Sequence, residues 1–165
     1  MIPGLTIAPE FVTPELEFAL LFEVEGELAE RKRLHRPRAP QDSRSEVMRW
    51  GAPIYPGGIV HPDLPVWCHV LLSRLPMPRP PESLTLNVWE PGDRLDPHVD
   101  RGGEVVCVLN LLGSSSIAFH RGRVEIHHVP RRALLRMSGE ARWEWEHAIF
   151  PADERRISLV FRNTQ

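Results

Sequence analysis

The apolar residues of this chain change period near residue 84. Downstream they alternate with polar ones in seven short runs broken by turn residues, at 84–89, 105–111, 117–120, 124–129, 133–137, 143–149 and 157–161. A period of two lets a strand bury one face, and short runs at this spacing predict a sandwich or barrel. Upstream the signals are helical. Thr13-Pro14-Glu15 offers a cap, a proline for the first helical position and an acid for the first turn. Leu16, Leu20, Val24 and Leu28 then recur every four residues, predicting a helix of about four turns. Arg, Pro, Ser and Asp dominate residues 31–49, which predicts an irregular segment and a candidate lid. A shorter helix is expected after Pro65, with Trp67, Val70, Leu71 and Leu75 on one face, ending at the prolines of 76–81.

A length of 165 residues, 42% of them hydrophobic, suits a single domain: N-terminal helices and lid over 1–83, an all-β core over 84–165. The net charge of −2 gives no overall attraction to nucleic acid. Phosphate contacts would fall to a local stretch such as Arg31-Lys32-Arg33-Leu34-His35-Arg36-Pro37-Arg38, although a solvated linker is the commoner reading of so short a run. Cys68 and Cys107 lie in apolar stretches outside any C-x-x-C pair, as buried thiols of a reducing compartment do, so a cytoplasmic monomer is expected. No basic-then-apolar leader opens the sequence, and no apolar run approaches the roughly 20 residues of a membrane helix.

Two segments carry chemistry. In Asp96-Pro97-His98-Val99-Asp100 an H-x-D pair on extended chain can point at one ion, but such a pair arises by chance in roughly a third of chains of this composition. A third ligand is available at His147, where alternation places Trp143, Trp145 and His147 on a common side. Two imidazoles and a carboxylate suit non-haem iron with open positions, and the same set can hold zinc; His120, His127 and His128 compete as donors. The last run, Arg156-Ile157-Ser158-Leu159-Val160-Phe161-Arg162, places Arg156, Ser158 and Arg162 on one face and Ile157, Leu159 and Phe161 on the other. Buried guanidinium groups require anions, either structural carboxylates or a dicarboxylate ligand. Asn87 and Trp89 share a face of the first run and could add donors to such a ligand.

The order of these motifs resembles the catalytic core of AlkB-like Fe(II)- and 2-oxoglutarate-dependent dioxygenases. Asn87-Val88-Trp89, Glu90-Pro91-Gly92, His98-Val99-Asp100, Met137-Ser138-Gly139-Glu140-Ala141-Arg142, His147 and the R-x(5)-R of Arg156 and Arg162 carry it over residues 87–162, and residues 11–20 are also similar. The resemblance implies a double-stranded β-helix, or jelly roll, with N-terminal helices supporting one sheet. It implies iron on His98, Asp100 and His147, the oxalyl end of 2-oxoglutarate facing Asn87 and Arg162, and its distal carboxylate on Arg156. The implied reaction is hydroxylation of a substrate C–H by O2, or demethylation with loss of formaldehyde. Trp89 stands where the family usually has tyrosine. Gly102 replaces the acid that repair enzymes carry two residues after the metal aspartate. Trp50 and Tyr55 are candidates to stack on a flipped base, and Arg101 is a further substrate candidate. The leading expectation is oxidation of an alkylated base in single-stranded DNA or RNA. The alternatives are the same chemistry on a protein side chain or modified tRNA, and a non-enzymatic metal-binding jelly roll.

Overall fold

The computed structural model describes residues 1–34, 46–53, 61–100 and 102–163. Two antiparallel sheets face each other as a jelly roll. The larger has six strands in the order β1 (Leu5–Ala8), β8 (Leu134–Met137), β5 (Val106–Leu112), β10 (Arg156–Arg162), β3 (Ser83–Trp89) and β2 (Glu46–Gly51). The smaller has four, ordered β4 (Leu95–His98), β9 (Glu146–Ile149), β6 (Ser115–His120) and β7 (Val124–Val129).

Helix α1 (Pro14–Leu34) covers the outer face of the larger sheet. Thr13 Oγ1 accepts the Leu16 N–H at 3.2 Å, so the expected cap is in place. Leu20, Val24 and Leu28 bury themselves against Leu84, Leu86, Leu109, Leu159 and Phe161. The helix runs past the expected four turns because residues 29–34 are strong helix formers. Glu17, inside the helix and buried, is held by Arg131 and Arg132 and so ties α1 to the turn between β7 and β8. A second apolar layer, with Val106, Ile117, Phe119, Leu135, Met137 and Val160, fills the space between the sheets.

Several expectations are corrected. The segment expected to be irregular over 31–49 contributes the end of α1 and strand β2, which extends the larger sheet beside β3; residues 35–45 lie outside the described set. The helix after Pro65 is a 3-10 turn (Val66–Cys68) and one α-turn, α2 (His69–Leu72), with Val70 exposed rather than packed. Strands β1 and β4 were not expected, being four residues each with a proline or flanking turn residues. The run 143–149 is not one strand: α3 (Gly139–Trp143) precedes β9, which leaves Trp143 in a helix and half exposed, off the His147 strand. Cys68 and Cys107 are free and buried, and burial pushes both thiols up to about 12. No helix among the described residues is long and apolar enough to cross a membrane.

Phe161 is fully buried, whereas Phe22 on the outer face of α1 is 75% exposed. Phe161→Ala should therefore lose about 3–5 kcal/mol of unfolding free energy in a denaturant titration, and Phe22→Ala about 0.5 kcal/mol or less.

Candidate active site

The site lies between the sheets, in a cavity of about 150 Å³. One wall is the inner face of the larger sheet. Strand β10 sits between β5 and β3, and its alternation sends Ile157, Leu159 and Phe161 to the α1 side and Arg156, Ser158, Val160 and Arg162 to the cavity. Asn87 pairs with Ser158, and Trp89 with Arg156, so both reach the same space. The opposite wall is β4 and β9, where His98 stands directly across from His147.

These strands bring His98, Asp100 and His147 together, with one donor atom of each within 4.8 Å of the others. Their rings and carboxylate converge closely: the imidazole centroids are 4.4 Å apart, and His98 Nε2 lies 3.5 Å from Asp100 Oδ1. His98 Nδ1 is 2.8 Å from the carbonyl of Asp96. A proton on Nδ1 donated to that carbonyl leaves the Nε2 lone pair facing the cluster. Burial opposes ionisation of Asp100, but Arg162, whose Nη2 is 3.2 Å from Oδ2, together with the two histidines, more than offsets it and holds the carboxyl well below its usual range. Burial pushes His147 down to about 4, against the pull of Asp100, so its imidazole is neutral at ordinary pH. A carboxylate and two imidazoles, one of them neutral by burial, form a donor set suited to a divalent metal. His120, His127 and His128 are not part of the cluster; His127 sits edge-on to Phe119 beside Glu125.

At the other end of the cavity, Arg156 is 1% exposed. Its Nε donates to Asn110 Oδ1 at 3.1 Å and its guanidinium lies 4.6 Å over the Trp89 ring, yet no carboxylate among the described residues meets it. Burial pulls its pKa down to about 9, and among the described residues Nη2 has no hydrogen-bond partner. Arg162 Nε and Thr85 Oγ1 are likewise buried without partners among them. Orphaned donors of this kind ask for an anion.

Trp89 behaves differently from expectation. Its indole N–H donates to Ser158 Oγ at 3.1 Å and is spent there, whereas Ser158, as the acceptor, keeps its own O–H for a further partner in the cavity. Trp50 lies across from Leu84, on the face turned away from the cavity, stacked on His61 and edge-on to Trp67. It packs the core and does not reach the site. Tyr55 and Arg101 fall outside the described residues, as do residues 35–38 of the basic stretch. Sequence reasoning missed Asn110, which holds Arg156 through its oxygen and donates through Nδ2 to Ser115 Oγ and the Val129 carbonyl. The signal was an amide inside the apolar run 105–111.

No protein-family model matches the chain. Among curated relatives, the tRNA (carboxymethyluridine(34)-5-O)-methyltransferase alkbh8 of Xenopus tropicalis is 32% identical over 168 residues, covering 90% of this chain and 25% of that protein. The Mus musculus protein of that name is 29% identical, covering 90% and 24%. The chain thus spans about a quarter of the length of these relatives. Among solved structures, OsALKBH1 superposes with a TM-score of 0.68 at 13% identity, covering 99% of both chains. The chain is similar to AlkB-like proteins in sequence and fold. A Pseudomonas putida prolyl-4-hydroxylase shares the fold more broadly, with a TM-score of 0.65 at 19% identity over 97% of this chain and 92% of that one. Here the two histidines of the metal-suited cluster lie on the smaller sheet, with Asp100 just beyond it, and the paired arginines on the larger, facing each other across one cavity.

The depressed His147 makes stability pH-dependent. Its folded-state pKa lies below the unfolded value, so the unfolded chain binds the extra proton and stability falls as pH drops from about 6.5 towards 4. In metal-free protein the loss should reach about 1.4 kcal/mol per pH unit in that window. Denaturant titrations across it should show a flatter profile in His147→Gln.

Proposed function

We propose that this chain is an Fe(II)- and 2-oxoglutarate-dependent dioxygenase of the cytoplasm, acting as a monomer on a modified nucleic-acid base, with RNA and tRNA ahead of damaged DNA. The observation that carries the reading is Arg156, a buried guanidinium with an orphaned Nη2 and no carboxylate partner among the described residues, in the same cavity as the His98, Asp100 and His147 cluster. A structural ion pair would have supplied that carboxylate. A dicarboxylate ligand supplies it only when bound, which fits a co-substrate that comes and goes.

In this reading His98, Asp100 and His147 would hold the iron, and Arg156 would bind the distal carboxylate. Asn87 and Arg162 would face the oxalyl end. When bound, iron and 2-oxoglutarate supply the oxidation, in which O2 is consumed, 2-oxoglutarate becomes succinate and CO2, and a substrate C–H gains a hydroxyl. The chain's own part is positional. Asp96 fixes the His98 ring, Arg162 keeps Asp100 ionised, and Val108, Ile117, Leu135 and Val160 line the cavity with apolar surface that excludes water. Support for RNA comes from relatives named for tRNA and from Gly102, which offers no acid to a damaged base. The methyl transfer in those names describes proteins four times as long.

Purified protein reconstituted anaerobically with Fe(II), then given 2-oxoglutarate and O2 with methylated single-stranded DNA, methylated RNA or bulk tRNA, should form succinate matched by a mass change in an RNA substrate. Succinate without change in any nucleic acid would redirect the search to protein side chains, and no succinate would leave a metal-binding module. Asp100→Ala should abolish turnover with an unchanged circular dichroism spectrum. Arg156→Ala should raise the KM for 2-oxoglutarate about 10- to 100-fold before kcat falls, as loss of a charged hydrogen-bond pair does.

A further inference from the structure

We infer that Arg142 is a positioning residue for the metal cluster, acting as a clamp that locks the segment carrying Asp100 to the segment carrying His147; the inference rests on the proposed metal site. Asp100 lies just beyond the end of β4, in a stretch with no strand partner to hold it. The chain then turns sharply, with Gly102 at φ 72° and Gly103 at φ 81°. A loop of this kind is left to drift unless its carbonyls are satisfied.

Arg142 satisfies three of them. Its Nη1 donates to the Asp100 carbonyl at 2.8 Å, Nη2 to Gly102 at 2.6 Å and Nε to Gly103 at 3.1 Å. The side chain is buried, and the guanidinium lies 4.2 Å over the Trp143 ring. A planar fork with donors in fixed directions can serve three carbonyls at once, which the single ammonium of lysine cannot reproduce. Arg142 belongs to α3, five positions before His147. That helix is itself fastened: Arg121 bridges Glu140 and Glu144, and the Ala141 N–H donates to the Pro3 carbonyl. Asp100 is therefore gripped twice, by Arg142 at its main chain and by Arg162 at its carboxylate. Gly103 approaches the same frame closely from the other side: a Cβ there would lie 2.8 Å from the Asn163 carbonyl oxygen and 3.2 Å from Arg162 Cβ.

The geometry predicts that loosening the clamp costs metal affinity before it costs fold. Co(II) titration of the metal-free protein, followed by visible absorption, reads affinity and coordination without any turnover. Wild-type protein should bind one Co(II). Arg142→Lys should bind it about 10- to 100-fold more weakly with an altered absorption band, the range typical when a group that orients a metal ligand is lost. Its thermal unfolding should stay near wild type, and methylguanidinium added to Arg142→Ala should recover part of the affinity. Wild-type affinity and spectrum in Arg142→Lys would overturn the clamp while leaving the metal site intact. No Co(II) binding by the wild-type protein would instead overturn the metal site itself. If the Arg142 variants fail to fold, Trp143→Ala, at a half-exposed position, tests the same fork: a severalfold loss of affinity supports the clamp, and none refutes it.

Discussion

Two guanidinium groups inside a β-sandwich set the terms for the rest of this molecule. Moving a charge of that size out of water costs several kcal/mol unless partners meet it. Here the partners are incomplete. Asp100 meets Arg162, while among the described residues Arg156 has only an amide oxygen and an aromatic face. The surroundings serve this arrangement. The Trp89 indole N–H is taken up by Ser158 Oγ, and Asn110 is fixed by Ser115 and Val129 so that its oxygen stays aimed at Arg156. Register is enforced from the opposite face. A slip of β10 by one residue would drive both arginines into the layer under α1 and turn Ile157, Leu159 and Phe161 into the polar cavity.

Charge is apportioned across the cavity in a simple way. Arg162 and Asp100 neutralise each other, and His147 is uncharged because it is buried. What remains among the described residues of the cavity is one unmatched cation on the larger sheet and one set of lone pairs on the smaller. In the proposed reading a ligand with two carboxylates matches this division, one group at the metal and one at Arg156. A monocarboxylate would leave one end unmet.

Much of the core was legible because period-two alternation reports a face directly. β10 is the clearest case: seven residues, buried on both sides, whose arginines and serine all fall on one face, with Val160 among them, and whose Ile157, Leu159 and Phe161 fall on the other. His98 and Asp100 were legible as a pair for the same reason, although Asp100 stands beyond the strand rather than on it. His147 was found by an argument that only half survives, since Trp143 and Trp145 do not share its strand; a five-residue helix interrupts the run, and so short a helix leaves no periodic trace. Trp50 was misread because a stacking role depends on which face of β2 it occupies, and that is fixed by pairing with β3, a contact distant in sequence. The roles of Asn110 and Arg142 were hidden for a related reason. Both act on residues from other segments, through bonds that no local pattern encodes.

Among the described residues strand β4 is an edge of the smaller sheet, joined only to β9 and with its register interrupted between Leu95 and His98. His147, by contrast, sits on an interior strand flanked on both sides. The two imidazoles of the cluster therefore rest on foundations of unequal strength. Edge strands with few cross-strand bonds open locally at far lower free energy than the fold as a whole. An ion held here would leave by fraying of the β4 edge and would not need to wait for unfolding. The cavity floor of arginines would survive that departure unchanged, so loss and reloading of the ion should be a reversible cycle of one short strand.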